Sequence, residues 1–145
     1  MRGGIPLHVK ASVAVARGNT WSGALAVKDL PRLAECVANP RGSLAVSLRA
    51  VAGAGEGPAL RGSIAGALGL QCQSCLETFE WPLDAVVDLR LVAAEAEEQR
   101  LLRECEPYLV HDDHLPLREL VEDEALLALP LAPRCPACAA AGRPA

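Results

Sequence analysis

The stretch "ALRGSIAGALGLQCQSCLETFEWPLDAVVDLRLV", Ala59 to Val92, decides the architecture. Its opening part places Leu60, Ile64, Leu68 and Leu70 on one side of a period of two, the pattern of a half-buried strand. Its closing part alternates Ala85, Val87, Leu89 and Leu91 with Val86, Asp88 and Arg90, a second strand. Pro82 has no N–H to give a ladder, so it marks a bulge or an edge position. Cys72 and Cys75 therefore fall in the turn between two antiparallel strands. Upstream, "SLAVSLRAV" (43–51) puts Leu44, Val46 and Leu48 on one face and Ser47 and Arg49 on the other. Joined through the loop "AGAGEGP", it completes a hairpin with the strand that begins at Ala59.

Working further outward, "WSGALAV" alternates loosely and reads as a strand. "KDLPRLAEC" reads as a short helix with Asp29 as N-cap and Pro31 in its first turn, ended by "NPRG". Cys36, near its end, is expected to be buried as a small apolar residue. On the other side, "AAEAEEQRLLREC" has high helix propensity but a weak apolar stripe. Residues 93–107 are thus either a helix or a mobile acidic connector. "PYLVHDD" adds a short strand, and "LPLRELVEDEALLALP" is the clearest helix, with Pro116 near its start and Pro130 as its stop. "LAPRCPACAAAGRPA" reads as coil, with residues 139–145 a disordered tail. The expectation is one α+β domain over residues 1–145, with an antiparallel sheet that could curl toward a barrel, and short helices.

Composition narrows the function. Of the 145 residues 51% are hydrophobic but only 3% aromatic, so the core is built from Leu, Val and Ala. Trp21, Phe79, Trp81 and Tyr108 are too few for a base-stacking platform. No signal peptide is visible in the charged opening "MRGGIPLHVKASVAVARGNT", and no segment approaches the ~20 apolar residues of a membrane span, so a cytoplasmic protein is expected. The net charge of −4 is unevenly spread: residues 1–70 carry +5 and residues 71–145 carry −9. Lys10, Arg17, Lys28, Arg32, Arg41, Arg49 and Arg61 in the basic half are the candidate RNA contacts, and the acidic half could face a basic protein.

Six cysteines in a reducing compartment point to metal ligands, reactive thiols or buried small residues before disulfides. Cys72 and Cys75 match a second Cys-x-x-Cys at Cys135 and Cys138, with 59 residues between the pairs. Two such turns complete the four-sulfur tetrahedron that structural zinc prefers. The usual gap is ~15–20 residues, but lengthening a loop from ~18 to ~59 residues costs only about 1 kcal/mol. Structural zinc binding contributes on the order of 10 kcal/mol. A redox pair would instead open a helix, whose dipole lowers the thiol pKa. A zinc ion closed by four thiolates leaves no position for a substrate, which argues against metal-assisted hydrolysis and against a small-molecule substrate.

Other candidates read more simply. Cys105 lies between Glu104 and Glu106, which would disfavour its thiolate. His111, Asp112, Asp113 and His114 make an exposed polar turn before a helix, and Glu119, Glu122, Asp123 and Glu124 a charged outer helix face. "GAGEGPALRG" lacks the Lys-Ser/Thr of a phosphate loop.

The order of "CQSCLE" (Cys72–Glu77), an acidic variable stretch and then "ELVEDEALLALPLAP" (Glu119–Pro133) resembles the YceD family, the large ribosomal RNA subunit accumulation proteins. The resemblance runs from about Leu25 onward and includes "DLPRL". Beside Cys72 and Cys75, its signature falls here on Leu76, Glu77, Glu122, Asp123, Leu126, Leu127, Leu129 and Pro130. It implies a non-enzymatic bacterial or plastid factor in large-subunit biogenesis, supporting accumulation of large-subunit rRNA and bound to that RNA or to a ribosomal protein. A protein-only adaptor holding a basic ribosomal protein, and a thiol oxidoreductase, are the rival readings.

Overall fold

Leu44, Val46, Leu48 and Ala50 are buried and Ser43, Ala45, Ser47 and Arg49 are exposed, a strict period of two that makes Ser43–Val51 a strand. The computed structural model describes residues 4–53 and 57–140. Its elements are β1 (Val9–Lys10), α1 (Ala11–Arg17), β2 (Thr20–Ala26), a 3-10 turn (Val27–Asp29), α2 (Pro31–Cys36), β3 (Ser43–Val51), β4 (Ala59–Gln71), β5 (Thr78–Val92), α3 (Glu95–Leu101), β6 (Glu106–Leu109), β7 (His114–Leu115), α4 (Leu117–Ala128) and α5 (Pro136–Ala140).

Five strands form one sheet in the order β2-β3-β4-β5-β6. The first four are antiparallel, and β6 joins β5 in parallel, Leu89 opposite Glu106 through Val92 opposite Leu109, after a crossover through α3. The sheet stays open: its edges are β2 and β6, so the α+β expectation holds without a closed barrel. β1 and β7 pair separately, Val9 with Leu115. The long β4–β5 hairpin runs from Ala59 opposite Arg90 to Gln71 opposite Thr78, which leaves Cys72–Glu77 as its turn. Pro82 lies opposite Ala67 on the part of β5 that β6 does not reach, the edge position its missing N–H requires.

The helices cover one face of the sheet. Leu33 of α2 and Leu117, Leu120 and Val121 of α4 join Leu44, Leu60, Ile64, Leu68, Leu83 and Val87 in one core. The other face carries small side chains, among them Ser22, Ser47 and Ser63 in register, and is exposed, with Val86 at its centre. Gly62 matters to this stacking of strands. A Cβ there would stand 1.9 Å from the Ser47 carbonyl oxygen, so β3 and β4 approach closely only because the side chain is missing. Among the described residues no helix is long and apolar enough to cross a membrane.

Several local expectations are corrected. Asp29 closes the 3-10 turn and does not cap α2; the cap position is Leu30, which offers no side-chain hydrogen bond, while Pro31 does open the helix. Cys36 ends α2 exposed, at the last helical position, where the chain leaves the helix through the extended Val37. "ASVAVAR", for which the sequence reading assigns no element, is α1; Ala11 and Ala14 are its buried side, and Gly18 in the left-handed region (φ 60°) ends it. Residues 93–107 hold α3, with Leu101 buried, and the start of β6. The tail read as coil forms α5, since Pro136 suits a first helical position and alanines follow. Ala139 and Ala140 of the expected disordered tail belong to that helix, and residues 141–145 lie outside the described residues.

Candidate metal centre

The hairpin turn is closed by its own backbone. The Cys72 N–H donates to the Glu77 carbonyl (2.8 Å) and the Leu76 N–H donates back to the Cys72 carbonyl (3.0 Å). Leu76 takes a positive φ of 67°, an unfavourable left-handed conformation for a side chain of its size, and that bend folds Cys75 back over Cys72. The Gln71 side-chain amide donates to the Leu76 carbonyl at 3.2 Å. Leu76 and Glu77 thus serve the turn through their backbones, and their side chains face water.

The tail reaches this turn after α4. The Gln73 N–H donates to the Pro133 carbonyl (2.8 Å), and α5 then begins with Cys135 just ahead of Pro136. The ligand atoms of Cys72, Cys75, Cys135 and Cys138 all lie within 4.8 Å of one another, and all four cysteines are free thiols. Cys72 is wholly buried, Cys75 is exposed and the other two are between. Four sulfurs about 2.3 Å from one ion stand about 3.8 Å apart by tetrahedral geometry. Cys75 and Cys135 are 3.8 Å apart.

Electrostatics point the same way. The backbone N–H groups of Cys75 and then Cys135 aim at the Cys72 sulfur and hold that thiol down at about 6. Cys138 is pushed up to about 12, first by its contact with Cys135 and then by Cys72 and burial. The Glu77 N–H pulls Cys75 down, but burial and the neighbouring thiols outweigh it and leave Cys75 raised. Four thiols this close cannot all ionise against one another without a cation among them. The donor set therefore fits a thiophilic divalent ion bound by all four sulfurs, with no ligand position left over.

The second signature segment does a different job. Glu122 is buried on α4, and its carboxylate accepts from the backbone N–H groups of Arg32 (2.7 Å) and Leu33 (3.1 Å) and from the Arg32 guanidinium (3.1 and 3.0 Å). It is the cap that α2 lacks locally, supplied from 90 residues away. Asp123 pairs with the same guanidinium, at the Nη2 that also meets Glu122, at 2.7 Å. Leu126, Leu129 and Pro130 are half-buried around a groove of about 650 Å³ between α2, the hairpin and the tail, whereas Leu127 points to water. The family model for the large ribosomal RNA subunit accumulation protein YceD matches residues 60–144, more than half of the chain. The chain belongs to the YceD family. No curated protein and no solved structure matches it significantly.

The match spans both cysteine pairs and α4 but leaves "DLPRL" outside, so within this YceD chain the resemblance from Leu25 to Ala59 is not covered by the family model. β2 and β3, which precede the match, nonetheless belong to the same sheet as β4. The family name implies a role in accumulation of large-subunit rRNA.

The candidate RNA contacts are dispersed over this scaffold. Arg49 and Arg61 face each other across β3 and β4, opposite Thr20, and α1 ends nearby with Arg17. Lys28 and Arg41 lie at the other end of the β2–β3 ladder, about 20 Å away at the rise of a seven-residue strand. Lys10 is in β1. Arg32 is held by Glu122 and Asp123, and Arg61 by Asp88 (3.2 Å). The turn read as a plain polar loop has a role that the sequence did not disclose. Asp112 and Asp113 adopt positive φ (53° and 59°), and Asp113 accepts from the Ser12 N–H (2.8 Å) and hydroxyl at the first turn of α1. Those bonds from Ser12 hold its carboxyl below the usual range.

Proposed function

We propose that this chain is a non-enzymatic factor of large ribosomal subunit biogenesis that acts in the cytoplasm as a single unit. It supports accumulation of large-subunit rRNA by holding that RNA or a ribosomal protein while the subunit assembles. The family match carries the reading. The convergence of four thiols on one point supports it, since an ion closed by four sulfurs stabilises a scaffold and offers no position to a substrate. The ion is structural zinc on Cys72, Cys75, Cys135 and Cys138, the metal such a sulfur set selects. A thiol oxidoreductase would need one pair free to attack, whereas here both pairs engage each other.

A protein partner is favoured over RNA by the state of the cations. Arg32 is committed to two carboxylates and Arg61 to Asp88, and the other candidate contacts are dispersed, Arg49 at one end of the β2–β3 ladder, Lys28 and Arg41 at the other, and Lys10 in β1. Depletion of the protein in cells should lower the ratio of large-subunit to small-subunit rRNA and cause large-subunit precursors to accumulate on sucrose gradients. An unchanged ratio under complete depletion removes the reading. Cross-linking during assembly, followed by separate recovery of RNA and protein, decides between the two partner classes.

A further inference from the structure

α4 buries one side in the core and pairs Arg32 through Glu122 and Asp123, yet Leu127, about one turn beyond Asp123 toward the end of the helix, remains 74% exposed. Beside it, between α4 and β6, runs a groove of about 340 Å³. Its floor is apolar, made by Leu89, Leu120 and Leu126, with Tyr108 as the opposite wall. Its rim is anionic: Glu106 from β6 and Asp123 and Glu124 from α4. We propose that this groove docks a lysine- or arginine-bearing protein segment that inserts an apolar side chain beside Leu127. The proposal rests on the reading of the chain as a factor that holds a component of the assembling subunit, and it names the surface and the chemistry of that component.

The charge arrangement selects the occupant. Glu106 and Glu124 both line this groove, close enough for each charge to oppose the other. The Glu124 carboxyl is pushed up to about 7, first by burial, then by Glu106 and by Asp123. Tyr108 is likewise raised, by burial and then by Glu119 and Asp123. Negative charge has been gathered at a half-buried apolar groove. Arg32, which pairs with Asp123 at this rim, is already shared with Glu122. An ammonium or guanidinium from outside would relieve the repulsion, and an RNA phosphate would add to it. β6 is the edge strand of the sheet, which leaves the groove open to an extended segment from that side.

The experiment is fluorescence anisotropy with a short labelled peptide of lysine, arginine and leucine, against the same peptide with glutamate at the basic positions. Saturable binding of the basic peptide alone, weakening as salt is added, is expected. Glu106→Lys/Glu124→Lys should weaken it about tenfold or more, and Glu80→Lys/Asp84→Lys, an equal charge change on the far half of β5, should not. Leu127→Asp, at a position the fold leaves exposed, should also weaken it and guards against a misfolded double variant. Equal losses in the two double variants would mean a general charge effect and overturn the proposal. So would no binding, full competition by magnesium alone, or displacement of the peptide by a large-subunit RNA fragment. In depleted cells, rRNA accumulation fully restored by Leu127→Asp sinks the groove but leaves the biogenesis reading standing, whereas depletion without an rRNA defect sinks that reading and leaves the peptide result to stand alone.

Discussion

Two fastenings hold remote parts of this chain together, and they are built from opposite chemistries. At the hairpin end, four thiols from two Cys-x-x-Cys turns meet within 4.8 Å and tie the tail to β4 and β5. At the helical end, two carboxylates reach back over most of the chain, Glu122 to the first turn of α2 and Asp113 to the first turn of α1. The clasp draws its strength from an ion and forms fully only when the ion is bound. The carboxylates need none, because the orphan N–H groups of a helix start are their partners. One fastening can be removed with a chelator and the other by replacing its acids, so the two are separable by experiment.

Removing the clasp should have the largest effect. Purified protein is expected to hold about one zinc per chain, and Cys72→Ser/Cys138→Ser should hold none, with the largest fall in unfolding midpoint of any variant here. Strong chelation of the native protein should give the same midpoint as that variant. If the metal-free protein melts with the native form, the clasp is not a fastening and the comparison collapses.

Next comes Glu122→Ala, which leaves the N–H groups of Arg32 and Leu33 without an acceptor at a buried helix start. It should cost about 2–4 kcal/mol in urea unfolding. Arg32→Ala, which spares those two N–H bonds, should cost clearly less. Equal losses would show that the ion pair, and not the cap, is what Glu122 contributes. Asp113→Ala sits at a more exposed helix start and should lower the midpoint less than Glu122→Ala. Its carboxyl lies below its unfolded value, so its contribution is present at neutral pH and disappears as the pH falls through the depressed pKa. The gap between native and variant should close in acid.

The contrast also explains what the sequence disclosed. The clasp was legible because its geometry is local twice over: two residues between thiols make a turn, and the turn repeats. The hairpins were legible because period two in β3, β4 and β5 is strict over nine residues or more. The caps were not. Lys10 and Leu30 occupy the cap positions of α1 and α2 and have no capping side chain, so a local search misses the start of α1 and settles for α2 on Asp29, one residue early. The acids that replace them looked like an exposed turn and a charged helix face, because nothing in "HDDH" or "LVEDEA" states which distant N–H groups they will meet. Glu122 had one usable signal. Its i+3 neighbour Ala125 is small and apolar, which lets the buried side of α4 widen far enough to take in Glu122, and a carboxylate buried there must be bonded.

Glu124 gives the smallest effect and the sharpest test, because it differs from Glu122 by two positions and by sign. Glu122 finds two backbone N–H groups and a guanidinium, whereas Glu124 finds Glu106 and Asp123, and its carboxyl rises to about 7. A carboxyl raised on folding favours the folded state below its unfolded value near 4.5, and that advantage is lost as the pH climbs through about 7. Above pH 7 the folded protein therefore carries a charge it would rather not hold, and Glu124→Gln removes it. Allowing for solvent screening of a half-exposed side chain, the variant should be more stable than the native protein by about 1 kcal/mol at pH 8 and no more stable at pH 4. Denaturant melts at the two pH values read this directly. A loss at pH 8 would mean that Glu124, like Glu122, has a partner it depends on, and the division of α4 into a fastening side and a side left anionic for a partner would fail with it.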